Sequence, residues 1–181
     1  MIFTLVGCVS SVAPRPRSAD DTLLVVRIEN TGIASPDNLF GEYVLELDTG
    51  ERLKIYGGHP YSFHRGLAPG NHEVTKIVLV DHDNKRLQSW PGHDIQFTIE
   101  EGKVSVMPVA IQLRYTTNRM TYKKQTLTFR KLRSTEVGSI GKDLAGIREF
   151  QRWADYPLVL QTTQASFEGV SLAYTQYIKK K

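Results

Sequence analysis

Five histidines are the first side chains to test for chemistry: His59, His64, His72, His82 and His93. A zinc site needs three or four N, S or O ligands that converge at a defined spacing. Neither H-E-x-x-H nor H-x-H is present, and His59, His72, His82 and His93 lie beside Gly, Pro or Asp turns. They read as loop and edge residues, and no metal or other cofactor is expected. The competing reading is a small metal-dependent hydrolase built on those histidine-bearing loops. Asp81-His82-Asp83-Asn84 has the acidic spacing of a calcium loop, but Arg86 stands where such a loop needs glycine, and Gly92 where it needs glutamate. Nucleophile signatures of the G-x-S-x-G and S-x-x-K kind are absent. Ser139-Ile140-Gly141-Lys142 lacks the glycine spacing of a phosphate loop. The expectation is a protein that binds rather than catalyses.

Charge is the second candidate. The chain has 181 residues, 23 basic against 19 acidic side chains and a net charge of +4. Residues 1–90 hold 9 basic and 11 acidic groups, whereas 91–181 hold 14 and 8. No acidic residue stands between Gly102 and Thr135. Arg114, Arg119, Lys123, Lys124, Arg130, Lys131 and Arg133 all fall there, interleaved with Tyr115 and Tyr122. Folded as a hairpin, this stretch makes one sheet edge strongly positive. Lys and Arg on an edge discourage stray strand pairing. They also suit contact with an anionic lipid or glycan, or with a partner protein. Nucleic acid, which the same charge attracts, is the least favoured partner. Tyr56, Tyr61, Phe63, Trp90 and Trp153 could form a carbohydrate platform, with Trp90 beside Pro91-Gly92 the one expected at the surface. Core filling is the better account of most of them.

The single cysteine, Cys8, excludes an internal disulfide and a cysteine-rich metal site. It closes the run Leu5-Val6-Gly7-Cys8 after a mostly apolar approach. These four residues resemble the lipobox of bacterial lipoproteins. The resemblance implies that the Cys8 thiol receives a diacylglycerol and that the segment before it is removed. Each buried methylene of such an anchor contributes about 0.8 kcal/mol, so two or three chains hold a domain to a membrane. In that family an aspartate after the cysteine signals inner-membrane retention. Val9 stands there, which implies the outer membrane of the cell envelope. The apolar run is shorter than a full signal region. Residues 1–21 are therefore expected to be a truncated signal, the lipobox and a flexible tether, since Val9 to Asp21 carries Pro14 and Pro16 and few large apolar residues. The alternative is a cytosolic β-domain with an accidental lipobox.

The elements that must position these groups are strands. Leu23 to Ile28 is β-branched and apolar. Tyr43, Leu45 and Leu47 alternate, a turn follows at Asp48 to Glu51, and Leu53 and Ile55 resume, which predicts a hairpin. Tyr61 to Phe63, Glu73 to Val80, Ile95 to Ile99, Lys103 to Tyr115 and Thr121 to Leu132 read as further strands. Val104 and Val106 differ in parity from Val109, Ile111 and Leu113. A switch of face needs a bulge or a crossing between sheets, and Pro108 is the expected place. Strands at this spacing predict a mainly β fold, an antiparallel β-sandwich of Ig-like or transthyretin-like form over residues 22–135. Leu67-Ala68-Pro69-Gly70, continuing to Val74, resembles the turn of prealbumin-like sandwich domains, and Phe97 to Val104 is similar to a hairpin of related lipoproteins. Residues 136–181 are expected to form a small C-terminal appendage with a helix near 142–155, where Leu144, Ile147 and Ala154 recur at helical spacing. Phe167 to Ile178 fits a helix or a strand.

Overall fold

The computed structural model describes residues 9–10, 12–31, 41–55, 57–118, 122–160 and 170–177. Cys8, Tyr56 and Arg119 lie outside them. The elements run β1 (Val9–Ser10), β2 (Leu23–Asn30), β3 (Glu42–Leu47), β4 (Arg52–Ile55), β5 (Tyr61–Arg65), β6 (Gly70–Val80), β7 (Arg86–Pro91), β8 (Gln96–Ile99), β9 (Val104–Asn118), β10 (Tyr122–Lys131), α1 (Val137–Ala145), β11 (Leu158–Leu160) and β12 (Ser171–Tyr177). The first sheet has the order β1-β5-β2-β9-β10-β12, with β11 also beside β9. The second has the order β4-β3-β6-β7, with β8 also on β6. The two sheets enclose one apolar core, in which Leu24, Val26 and Ile28 of β2 meet Leu45, Ile77 and Leu79 of the second sheet. This is the expected β-sandwich, compatible with an Ig-like fold. It has one departure from pure antiparallel order, because β9 runs parallel to both β2 and β11. Alternation of side chains carries no information about strand direction.

The turns follow the local chemistry. The β3–β4 hairpin closes at Gly50, at φ 84°. Gly70, after Pro69, takes φ 134° and opens β6. At Gly92, between β7 and β8, the chain passes so close to β6 that a Cβ would lie 1.5 Å from the Val74 carbonyl oxygen, so only glycine fits.

The irregularity expected at Pro108 is present, with a different consequence. Val25 pairs Val106 and Arg27 pairs Ala110, so β9 spends two more residues than β2 over the same span. Two extra residues preserve parity. Met107, Val109, Ile111 and Leu113 all face the inter-sheet core, while Val104, Val106 and Ala110 face a second apolar cluster on the opposite side. No side chain switches face. The strand is apolar on both faces because two cores flank it. At Pro108 β9 also exchanges partners, from β11 along Val104 to Val106 to β10 from Val109 onward. A residue without an N–H is tolerated at that gap, and its carbonyl accepts from the Leu132 N–H at 2.9 Å.

The second cluster is roofed by the helical segment. Ile140 and Leu144 of α1, with Phe150 and Trp153 of a short 3-10 turn, cover Leu23, Val25, Tyr61 and Phe63. The helix occupies Val137–Ala145 and stops at Gly146, ahead of most of the stretch expected to be helical. Glycine is a poor helix former, and the apolar spacing that continues to Trp153 is satisfied by the 3-10 turn instead. Beyond it, β11 and β12 return to the first sheet. The ambiguous C-terminal segment is strand over Ser171–Tyr177, paired with β10.

The proline-bearing stretch before β2 is not a free tether in its described part. Ala13 is buried in the second cluster. The Trp153 indole N–H donates to the Pro14 carbonyl at 2.6 Å, and the Tyr156 hydroxyl donates to that of Ser18 at 2.6 Å. Arg65 donates to the Arg15 carbonyl. Few apolar residues suffice here because the contacts run mainly through the backbone, which composition does not reveal.

Candidate functional site

Beyond the helical roof, the outward face of the first sheet lies open. Register places Gln112, Arg114 and Thr116 of β9 beside Thr128, Thr126 and Lys124 of β10, and these beside Ser171, Ala173 and Thr175 of β12. Tyr122 and Tyr177 pair at the far end, with Tyr177 the more exposed. The inward positions Leu127, Phe129 and Leu172 lie in the core. Alternation therefore produces a flat face of hydroxyls, an amide and two cations, with tyrosines at one end. Such a face can donate hydrogen bonds and attract negative charge, but it holds no nucleophile paired with a base.

Between roof and open face sits an ion cluster. Arg130 donates through both terminal nitrogens to Glu136, at 2.9 Å each, and also to Glu29. Arg27 approaches Glu29 at 3.3 Å and Glu136 at 3.7 Å. Gln112 donates to Glu29 at 2.9 Å, and the Arg133 N–H donates to Glu136 at 2.9 Å. The Arg130 guanidinium holds the Glu136 carboxyl down to about 2, and it lowers that of Glu29 as well. This cluster ties β2, β10 and the entry to α1 together.

The seven basic residues singled out in the sequence consequently separate. Arg130 is occupied by two carboxylates. Arg114 and Lys124 share the open face. Lys123 has the opposite parity, and Arg119 lies outside the described residues. Lys131 and Arg133 are exposed at the other end of β10, Lys131 about 23 Å from Lys124 at ~3.3 Å per residue. The positive edge is thus a smaller face with two cations at its centre.

The histidines also separate. His59 and His82 are exposed, and His93 sits in the turn after Gly92 at φ 58°. His72 is buried, stacked on Phe97 with ring centres 5.5 Å apart, and its Nε2 lies 2.8 Å from the Ala68 carbonyl. Among the described residues, no three His, Cys, Asp or Glu side chains gather into a group that could hold a metal. Ser62 Oγ lies 3.1 Å from His64 Nε2, the one Ser–His contact of interest. The Ser62 hydroxyl, however, donates to the Lys54 carbonyl at 3.0 Å. Full burial lowers His64 to about 3, so its ring is neutral, and Nε2 is left to donate to Oγ. That is the reverse of the polarity a nucleophilic serine needs.

The proposed aromatic platform does not assemble. Tyr61, Phe63 and Trp153 are buried in the second cluster. Trp90 is partly buried, packed on the inter-sheet core with its ring 6.2 Å from that of Tyr43, rather than displayed at the surface.

The sequence reading passed over another polar surface. Arg52, Lys54, Lys76 and Arg86 converge on the outward face of the second sheet. They lie in the half of the chain where acidic residues outnumber basic ones, so a count by segment hides them. For Arg52, Lys54 and Lys76 the signal is parity, each at an outward position of an alternating strand, whereas a register shift in β7 sets Arg86 beside Val80 on the same face.

Comparison with known proteins finds no matching family, curated protein or solved structure.

Proposed function

We propose that this chain is a lipoprotein of the bacterial envelope, acylated at Cys8 and anchored to the outer membrane, whose β-sandwich is a non-catalytic binding module. The observation that carries the reading is the position of Val9. It follows the lipobox cysteine directly and already pairs with His64 in β5. A lipid on Cys8 would seat the β1–β5 edge of the first sheet against the bilayer with almost no slack. The open face then lies toward the other edge. From β1 to β10 is four strand spacings, about 19 Å at ~4.8 Å each. Arg114 and Lys124 are thus held away from the anchoring membrane, where an anionic glycan of the envelope is the fitting partner. Hydroxyls of Thr116, Thr126 and Thr175 flank these cations, and Tyr177 offers a ring for a sugar to stack on.

Metabolic labelling with a palmitate analogue tests the anchor. Label is expected on the wild-type chain and absent from Cys8→Ser, with the wild type in the membrane fraction. Equal labelling of both, or a wild type that stays in the soluble fraction, overturns the reading.

A further inference from the structure

The outward face of the second sheet carries a groove of about 410 Å³ lined by Glu46, Arg52, Lys76, Val78, Val80, Asn84 and Arg86. Register arranges this face in three rows across the strands. Arg52, Glu46 and Lys76 form the first. Lys54, Val44, Val78 and Ser89 form the second, and Glu42, Val80 and Arg86 the third. Two features set the surface apart from an ordinary solvated sheet. The first is its middle. Val44, Val78 and Val80 form an apolar cluster separate from both cores and are no more than 3% exposed, although they point away from the sandwich. Long side chains border them in the groove, and the stems of such side chains can swing aside. The second is an imbalance of charge. Four cations face two carboxylates. Glu46 is shared by Arg52 and Lys76, each at 3.5 Å, and Glu42 serves Lys54 at 3.8 Å. Arg86 has no ion pair among the described residues. Two positive charges are therefore left uncompensated over an apolar floor.

We infer that this groove binds a small organic anion, with a phosphate or carboxylate group between Lys76 and Arg86 and a compact apolar body over Val78 and Val80. Glu46 acts as a built-in competitor, because it occupies Arg52 and Lys76 when the groove is empty. The site lies on the other sheet from the proposed glycan face, so the two readings stand or fall separately.

Amide chemical-shift titration of the full chain tests the inference, with phenyl phosphate, inorganic phosphate and neutral phenyl glucoside as probes. Phenyl phosphate is expected to give saturable shifts confined to β3, β4, β6 and β7, at lower concentration than inorganic phosphate. The neutral glucoside is expected to give none. Lys76→Gln and Arg86→Gln should each weaken binding about two- to five-fold, as one exposed charge contact does. Glu46→Gln should strengthen it by a similar factor, an effect in the opposite direction from any loss of folding. Lys142→Gln, an exposed position on α1, should leave it unchanged. Absence of saturation, indifference to Lys76→Gln and Arg86→Gln together, or equal affinity for inorganic and phenyl phosphate would overturn the inference.

Discussion

The first sheet has two ends on its outward face, and β2 and β9 cross both. At the roofed end, Leu23 to Val26 and Val104 to Ala110 are buried on both sides of the sheet. At the open end the same strands alternate, and Arg27, Glu29, Gln112 and Arg114 point outward. The change occurs within a few residues, at the ion cluster of Arg27, Glu29, Arg130 and Glu136. Even the polar groups differ. Beneath the roofed end, on the inter-sheet side of the same strands, Ser62, His64 and Ser105 are buried, whereas the open end presents its threonines to solvent. A β-sandwich sheet normally has one dry face and one wet one. Here a short helical segment makes part of the wet face dry, and that part carries stability. The rest stays exposed to solvent.

The contrast predicts an order of effects. Trp153→Ala should be the most damaging change. The side chain is fully buried and its N–H holds the Pro14 carbonyl, so a loss of about 3–5 kcal/mol is expected in urea unfolding. A loss below about 0.5 kcal/mol, the range of ordinary surface positions, would make the roof an ornament and collapse the distinction.

Acid should reach the roofed end first. Burial lowers His64 from 6.5 to about 3, so the unfolded chain binds that proton before the folded one. Stability from this group is complete above pH 6.5 and falls as pH drops toward 3, with a slope approaching about 1.4 kcal/mol per pH unit. His64→Asn should flatten the profile between pH 6.5 and 4.5. An unaltered slope would place the titration elsewhere.

Arg130→Met probes the border. It strands two carboxylates, and charged hydrogen bonds of this kind contribute roughly 1–3 kcal/mol. Its signature lies lower in pH. The Glu136 carboxyl is depressed from 4.5 to about 2, so its contribution is full above pH 4.5 and disappears as pH falls toward 2. The variant should lose that lower limb and keep the His64 slope. A variant that changed the His64 slope instead would show the two ends to be one coupled unit.

Arg114→Gln and Lys124→Gln should have the smallest effect on folding, within about 0.5 kcal/mol, because both side chains are exposed. They should nonetheless weaken retention on an anionic glycan column relative to a neutral one. Loss of folding without loss of retention would reverse the roles assigned to the two ends.

Much of the strand pattern was legible in the residues. Alternation at Tyr43 to Ile55 and the turn residues around Gly50 and Gly70 located strands that the structure contains. The reading faltered where two cores compete for one strand. Val104 and Val106 are out of phase with Val109 for a strand that faces one core; with a core on each side, both parities are apolar. Trp90 adjoins Pro91-Gly92, which suggests exposure, yet its register opposite Ile77 faces it to the core. The candidate site was less legible still. A run without acids between Gly102 and Thr135 suggested one positive edge, but Glu29 and Glu136, far away or just beyond it in sequence, neutralise Arg130.

What the residues determined by themselves was local: which stretches are extended, where turns break them, and that Pro108 marks an irregularity. These follow from side-chain period and backbone preference, which act over a few residues. The tertiary structure decided which cations remain free. Long-range pairing brought Glu29 to Arg130 across 101 positions, while β-register gathered Arg52, Lys76 and Arg86 from three strands onto one face. Charge acts through space, so its sum along the chain cannot say where a field will stand.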